Sequence, residues 1–218
     1  MNLANKLTVL RMILVPIFVV IGYLGSLGVI SGEWLGIPTS FWIMNLIFII
    51  ASITDKLDGY IARSRNQVTT FGKFLDPLAD KILVLSALVM LVEYGKIPAW
   101  IPVIVLAREF LVSGYRLVAV EKGGKVIAAS IWGKLKTVTQ MIAIIFTFID
   151  RFDFFDFIIA NTDKAQAAAS SLQVYMTTPE LVFNVVTSVL MLISVDATIF
   201  SGYDYLKGGK DLFKDTNN

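Results

Sequence analysis

The chain contains neither cysteine nor histidine. The first absence excludes disulfides, thiolate nucleophiles and cysteine zinc sites; the second excludes imidazole bases, haem ligands and every Ser-His triad. Charge is scarce too, at 17% of residues where an ordinary soluble domain carries about 25%. Chemistry therefore falls to carboxylates, lysine, arginine and hydroxyls. A net charge of +2 gives no reason to expect a nucleic-acid partner. What is abundant is apolar sequence: 56% of residues are hydrophobic and the mean hydropathy is +0.73.

About 20 apolar residues cross a bilayer, so the 218 residues are accounted for by six spans and short turns, with no sizeable soluble domain left over. The expected fold is all-α: a polytopic integral membrane protein with six transmembrane helices plus an N-terminal amphipathic surface helix. That surface helix is residues 1–11, where Leu3, Leu7 and Leu10 recur at helical spacing. The spans are read as Met12–Ile30 (uncleaved), Phe41–Ile53, Asp76–Glu93, Pro98–Val120, Ser130–Ile149 and Leu181–Tyr203. The helix of span two is expected to continue beyond the hydrocarbon into a polar region. Residues 1–218 thus form one membrane-embedded domain, with a six-span core over 12–206 and a solvated tail over 207–218.

Of the nineteen Lys and Arg residues, only Lys96, Arg151 and Lys164 fall on the side opposite the termini. The positive-inside rule then puts the termini, and the loops after spans two and four, on the cytoplasmic side of the plasma membrane. The last outer loop mixes Asp150, Asp153, Asp156 and Asp163 with Phe152, Phe154, Phe155 and Phe157. It reads as a solvated interfacial segment with aromatic anchors and no chemistry.

The junction of spans two and three concentrates four aspartates within 26 residues. Asp55, Asp58 and Ala62 are spaced i, i+3, i+7; Gly72, Asp76 and Asp80 are spaced i, i+4, i+8, so each set projects from one helix face. Two such faces turned together make a four-carboxylate nest, which needs cations to neutralise it. Hard oxygen ligands without His or Cys select Mg²⁺ or Mn²⁺. Gly59 and Gly72 leave room for a ligand against the helix backbone, and Arg63 offers a fork suited to phosphate. One or two such aspartates would more simply cap helices or pair with Lys56, Arg63 and Lys81; four at a membrane border default to function.

This pattern, Asp-x-x-Asp-Gly-x-x-Ala-Arg, eight residues, then Gly-x-x-x-Asp-x-x-x-Asp, resembles the signature of the CDP-alcohol phosphotransferases. Asn5, Thr8, Arg11 and Pro16 resemble that family's N-terminal segment, although Ala4 stands where many bacterial members have Pro. The resemblance implies two divalent cations held by Asp55, Asp58, Asp76 and Asp80, with Asp80 also the catalytic base. It further implies a CDP-lipid pocket shaped by Thr8, Gly59, Ala62, Arg63 and Gly72, and a homodimer.

The acceptor must be read elsewhere. Arg108-Glu109 lies about ten residues into span four, about 15 Å deep. Arg116 is eight residues further, about 80° around the helix. With Lys134 at the start of span five, these cations are expected to surround a second anion. Lys136 is as readily a headgroup anchor. The segments 108–116 and 133–140 resemble those of bacterial members whose acceptor is sn-glycerol 3-phosphate. The implied reaction joins CDP-diacylglycerol to that acceptor, releasing phosphatidylglycerol phosphate and CMP among the membrane lipids. The alternatives are a sister enzyme using inositol phosphate, serine or phosphatidylglycerol, and, in another class, a divalent-cation transporter.

Overall fold

The computed structural model describes residues 3–64, 70–121, 131–156 and 176–208; within its helices, the side chains at 3–5, 56–64, 70–77, 80, 117, 119–121 and 208 lie outside the described set. Six helices are present among the described residues: α1 (Leu3–Ser26), α2 (Thr39–Ser64), α3 (Thr70–Glu93), α4 (Trp100–Glu121), α5 (Ile131–Ile149) and α6 (Thr178–Gly208). They run alternately up and down. The first and last, over Lys6–Ser26 and Thr178–Lys207, are long and apolar enough to cross a membrane, and Thr39–Asp55 is a shorter apolar helix.

The separate surface helix expected over residues 1–11 is not a separate element: α1 runs unbroken from Leu3 to Ser26, through Pro16. Its pattern explains why. Thr8, Arg11, Val15 and Phe18 are spaced three, four and three, and all are buried, so the polar end of this stripe faces other helices rather than a headgroup layer. Leu10, Ile13, Ile17 and Val20 point outward instead.

Between α1 and α2 a short hairpin pairs β1 (Glu33–Trp34) with β2 (Ile37–Pro38), antiparallel, with Glu33 opposite Pro38. Its turn residues Leu35 and Gly36 have φ of 57° and 72°, the left-handed pair that a two-residue hairpin requires. We call this the hairpin end of the bundle and the opposite one, where α2 meets α3, the signature end. At 26 residues α2 is about 39 Å long, more than the roughly 30 Å hydrocarbon layer, which is the extension that the sequence predicts.

The core between the two ends is apolar and rich in aromatic contacts. Phe148 of α5 meets Phe18 and Phe41 edge to face, each at 5.9 Å, and Phe41 meets Tyr94 at 4.5 Å. Met44, Phe48, Leu83, Leu88, Leu91, Ile101, Ile144 and Met191 fill the space around them. Helix α6 packs antiparallel to α5, with Trp132 stacked on Phe200 and Phe146 on Phe183. Large apolar side chains also cover the outside, among them Val103, Phe110, Val182 and Val189, as a lipid-facing surface requires.

Candidate active site

The signature is divided between two helices. Asp55 and Asp58 lie on α2, and Asp76 and Asp80 on α3. Positions 76 and 80 share a face of α3 with Leu83 and Ala87, which are fully buried. Of the four aspartates, Asp55 is the one whose side chain is described. It is half-buried and accepts the guanidinium of Arg11, Nη1 to Oδ1 2.6 Å. Arg11 is wholly buried and Thr8 lies buried one turn before it, so α1 brings a cation and a hydroxyl to the first signature carboxylate. The side chains of Asp58, Gly59, Ala62, Arg63, Gly72, Asp76 and Asp80 lie outside the described residues. The donor set, carboxylates alone, suits hard divalent cations.

A cavity of about 360 Å³ lies next to this region, between α3, α4 and α5. Its polar lining is Lys81, Arg108, Glu109, Ser113, Lys136, Thr137 and Gln140. Three cations converge on one carboxylate. Lys136 Nζ donates to Glu109 Oε1 at 2.8 Å, Arg108 Nη1 donates to the same oxygen at 2.9 Å, and Lys81 Nζ lies 3.9 Å from Oε2. Lys81 also donates to Ser113. Two buried donors here, Arg108 Nε and Gln140 Nε2, have no hydrogen-bond partner. The described lining groups carry a net charge of two positive units, which matches a phosphomonoester above its second pKa of about 6.

Of the three cations that the sequence groups around an anion, Arg108 lines this cavity, and Arg116 and Lys134 are not among its lining residues. Arg116 is turned toward α6, where Nη2 donates to the Tyr205 hydroxyl at 2.9 Å. Both arginines lie over the Tyr205 ring, each 5.7 Å from its centroid, and Arg108 also donates to Ser201. Arg108 thus touches both the cavity and α6, and the rotation of about 80° over eight residues takes Arg116 off the cavity lining while it still meets α6. Lys134 is exposed, whereas Lys136 is buried. Two helical positions are about 200° apart, so α5 turns only one of these lysines to the cavity. Lys81 and Lys136 take the places beside Arg108. The signal for Lys81 is its position next to Asp80; nothing in the sequence marks Ser201 or Tyr205.

The hairpin end holds a second polar cluster. Lys96, buried in the turn between α3 and α4, donates to the carbonyls of Asp150, Arg151 and Phe152 at 3.1, 2.9 and 3.2 Å, and lies 3.2 Å from Asp153. It thus caps the segment leaving α5, a cation at a helix C-terminus. Asn184 of α6 donates to Asp150 Oδ2 at 3.0 Å and to the Asp153 carbonyl at 2.9 Å, while Phe152 N donates to Asp150 Oδ1 at 3.0 Å. Asp150 is therefore buried and paired, not solvated as its loop composition suggests. Burial pushes its carboxyl above the ordinary value, against the pull of these donors and Lys96. The void here is about 10 Å³, too small for anything beyond a water.

The profile of the CDP-alcohol phosphatidyltransferase family matches residues 1–199. Among curated proteins, the CDP-diacylglycerol--glycerol-3-phosphate 3-phosphatidyltransferase of Bacillus subtilis (strain 168) is 48% identical over 147 residues, 66% of this chain and 74% of the relative. The protein of the same name from Haemophilus influenzae is 44% identical, covering 66% of this chain and 73% of the relative. That from Rickettsia bellii is 33% identical over 213 residues, 97% of both chains.

Proposed function

The chain belongs to the CDP-alcohol phosphatidyltransferase family, and on that premise we propose that it transfers the phosphatidyl group of CDP-diacylglycerol to sn-glycerol 3-phosphate, giving phosphatidylglycerol phosphate and CMP. The family match across most of the chain leaves no place for the transporter alternative. The observation that carries the choice of acceptor is the cavity beside α3, in which Lys81, Arg108 and Lys136 exceed Glu109 by two positive charges. A phosphorylated acceptor uses that excess; serine does not. Inositol phosphate would use it too, and the relatives' names favour glycerol phosphate.

In this reading Lys81, Arg108 and Lys136 hold the acceptor's phosphate and leave its free primary hydroxyl toward the signature aspartates. Asp80 adjoins Lys81 in α3 and takes the proton of that hydroxyl as its oxygen attacks the lipid-linked phosphorus; the bond to CMP breaks as the new one forms. Asp55, Asp58, Asp76 and Asp80 would hold two Mg²⁺ or Mn²⁺ ions, which when bound supply charge neutralisation for the diphosphate and the departing CMP. Arg11 pairs with Asp55 and orients its carboxylate. Thr8, Gly59, Ala62, Arg63 and Gly72 shape the CDP pocket. Positioning and electrostatics dominate, because phosphoryl transfer asks little covalent help.

The same proposal includes six spans, termini and active site on the cytoplasmic side, and a homodimer. Six spans are supported by the alternating course of the helices and their apolar outer surfaces, and sidedness by the bias of Lys and Arg. The test is CMP release by purified protein across a panel of alcohols. Release should depend on sn-glycerol 3-phosphate and be absent with serine; release with serine or inositol phosphate alone would reassign the acceptor.

A further inference from the structure

The cavity between α3, α4 and α5 is more apolar than a three-carbon phosphate needs. Beyond its cationic end the wall is Leu78, Ile82 and Leu85 of α3 with Val105, Leu106 and Phe110 of α4. Phe110 is 69% exposed, Leu78 42% and Ile82 37%, so the apolar half reaches the outer surface between α3 and α4, where a bilayer would present acyl chains. One end of the space is thus cationic, with Gln140 Nε2 buried and unpartnered, and the other is continuous with the lipid-facing surface. That combination is the complement of an amphiphile.

We propose that this cavity also binds a lipid bearing a terminal phosphomonoester. Its phosphate sits on Lys81, Arg108 and Lys136 and a chain lies along Leu85, Leu106 and Phe110, so that the lipid competes with the acceptor. The proposal rests on the reading of the cavity as the acceptor's phosphate site. Two sources share the chemistry: the enzyme's own phosphorylated lipid product, and a bilayer lipid such as phosphatidic acid.

The test uses the full chain in detergent, with dioctanoyl phosphatidic acid, dioctanoyl phosphatidylcholine and inorganic phosphate compared at equal concentration, by thermal shift and by CMP release. Phosphatidic acid is expected to raise the melting temperature and the apparent KM for sn-glycerol 3-phosphate, leaving kcat unchanged. Inorganic phosphate should do less of both, and phosphatidylcholine neither. Leu106→Trp fills the apolar half and should cancel the advantage of phosphatidic acid over inorganic phosphate in the thermal shift. Phe110→Ala, at an exposed position, should weaken the lipid effect even if the Trp variant fails to fold. Stronger competition by short-chain phosphatidylglycerol phosphate than by phosphatidic acid assigns the site to departing product; equal competition assigns it to bilayer lipid. Phosphatidic acid no better than phosphate, competition against CDP-lipid instead of the acceptor, or an undiminished lipid effect in both variants would overturn the proposal. If no sn-glycerol 3-phosphate-dependent release exists, the functional reading fails, and the thermal shifts still report on the lipid site by themselves.

Discussion

The two ends of the bundle bury the same kinds of charged side chain and satisfy them differently. At the hairpin end one lysine, Lys96, meets three carbonyls and a carboxylate, and the neighbouring Asp150 and Asn184 close the cluster around a void of about 10 Å³. At the signature end, among the described residues, three cations converge on the carboxylate of Glu109 beside about 360 Å³ of space, and two buried donors, Arg108 Nε and Gln140 Nε2, have no partner. Burial of charge is therefore not what marks a site in this molecule. What separates the two ends among the described residues is open space: the polar groups of the hairpin end close on one another, while those of the signature end line a cavity.

The largest effect that would break this contrast lies in the signature itself. Asp80→Asn keeps the size of the side chain and removes the proposed base; turnover should fall by about 10² to 10⁴, with CDP-lipid binding less affected. Chelation of divalent cations should abolish turnover, and Asp55→Asn, Asp58→Asn or Asp76→Asn should weaken metal and CDP-lipid binding together. Rates within a few-fold of the parent for Asp80→Asn would put the base elsewhere.

The hairpin end should respond in stability alone. Lys96→Met strands three carbonyls and the carboxylate of Asp153, and the loss of charge-assisted bonds should cost about 1.5 to 3 kcal/mol, read as a lower melting temperature with unchanged acceptor KM. A raised acceptor KM in that variant would erase the distinction between the ends.

These two responses differ in how far they were legible beforehand. The aspartate motif and the polar extension of α2 follow from spacing along single helices, which sequence records directly. Lys96 does not, because its carbonyl partners lie more than fifty positions away and only the fold brings them to it. The sequence groups basic residues at the right depth, but which of them line the cavity is not recorded in it. Whether Lys134 or Lys136 enters the cavity depends on how α5 is rotated, and whether Arg116 does depends on α6 standing beside α4 with Tyr205. The continuity of α1 was hidden because three leucines at helical spacing fit a surface helix as well as a buried one. Its true register is set by Thr8 and Arg11, whose partner Asp55 comes from another helix. The hairpin turn at Leu35 was hidden for a local reason: leucine is disfavoured at positive φ.

A smaller effect concerns pH. Asp150 has a folded pKa raised by burial, so the folded state holds this proton more tightly than the unfolded chain does. That contribution is full below the unfolded pKa and is lost as pH rises through the folded value. Asp150→Asn should flatten that part of the stability profile; an unchanged profile would mean that Asp150 is not held as described.

The smallest effects are expected just outside the cavity. Arg116→Ala and Lys134→Ala should change the acceptor KM less than any change to a lining cation, with Arg116→Ala showing a modest loss of stability through Tyr205. If either raised the KM as strongly as a lining residue does, the cavity would have to extend beyond α3, α4 and α5.

The most direct test of the central claim is the saturation curve for sn-glycerol 3-phosphate in Lys136→Met, measured by CMP release. Lys136 is buried, lines the cavity and shares Glu109 with Arg108. Loss of one charge-assisted contact to the acceptor's phosphate should raise its KM by about tenfold or more while CDP-lipid affinity stays near that of the parent. A variant that folds, keeps the parental acceptor KM and loses only thermal stability would contradict the account, since Lys136 would then be what Lys96 is at the other end.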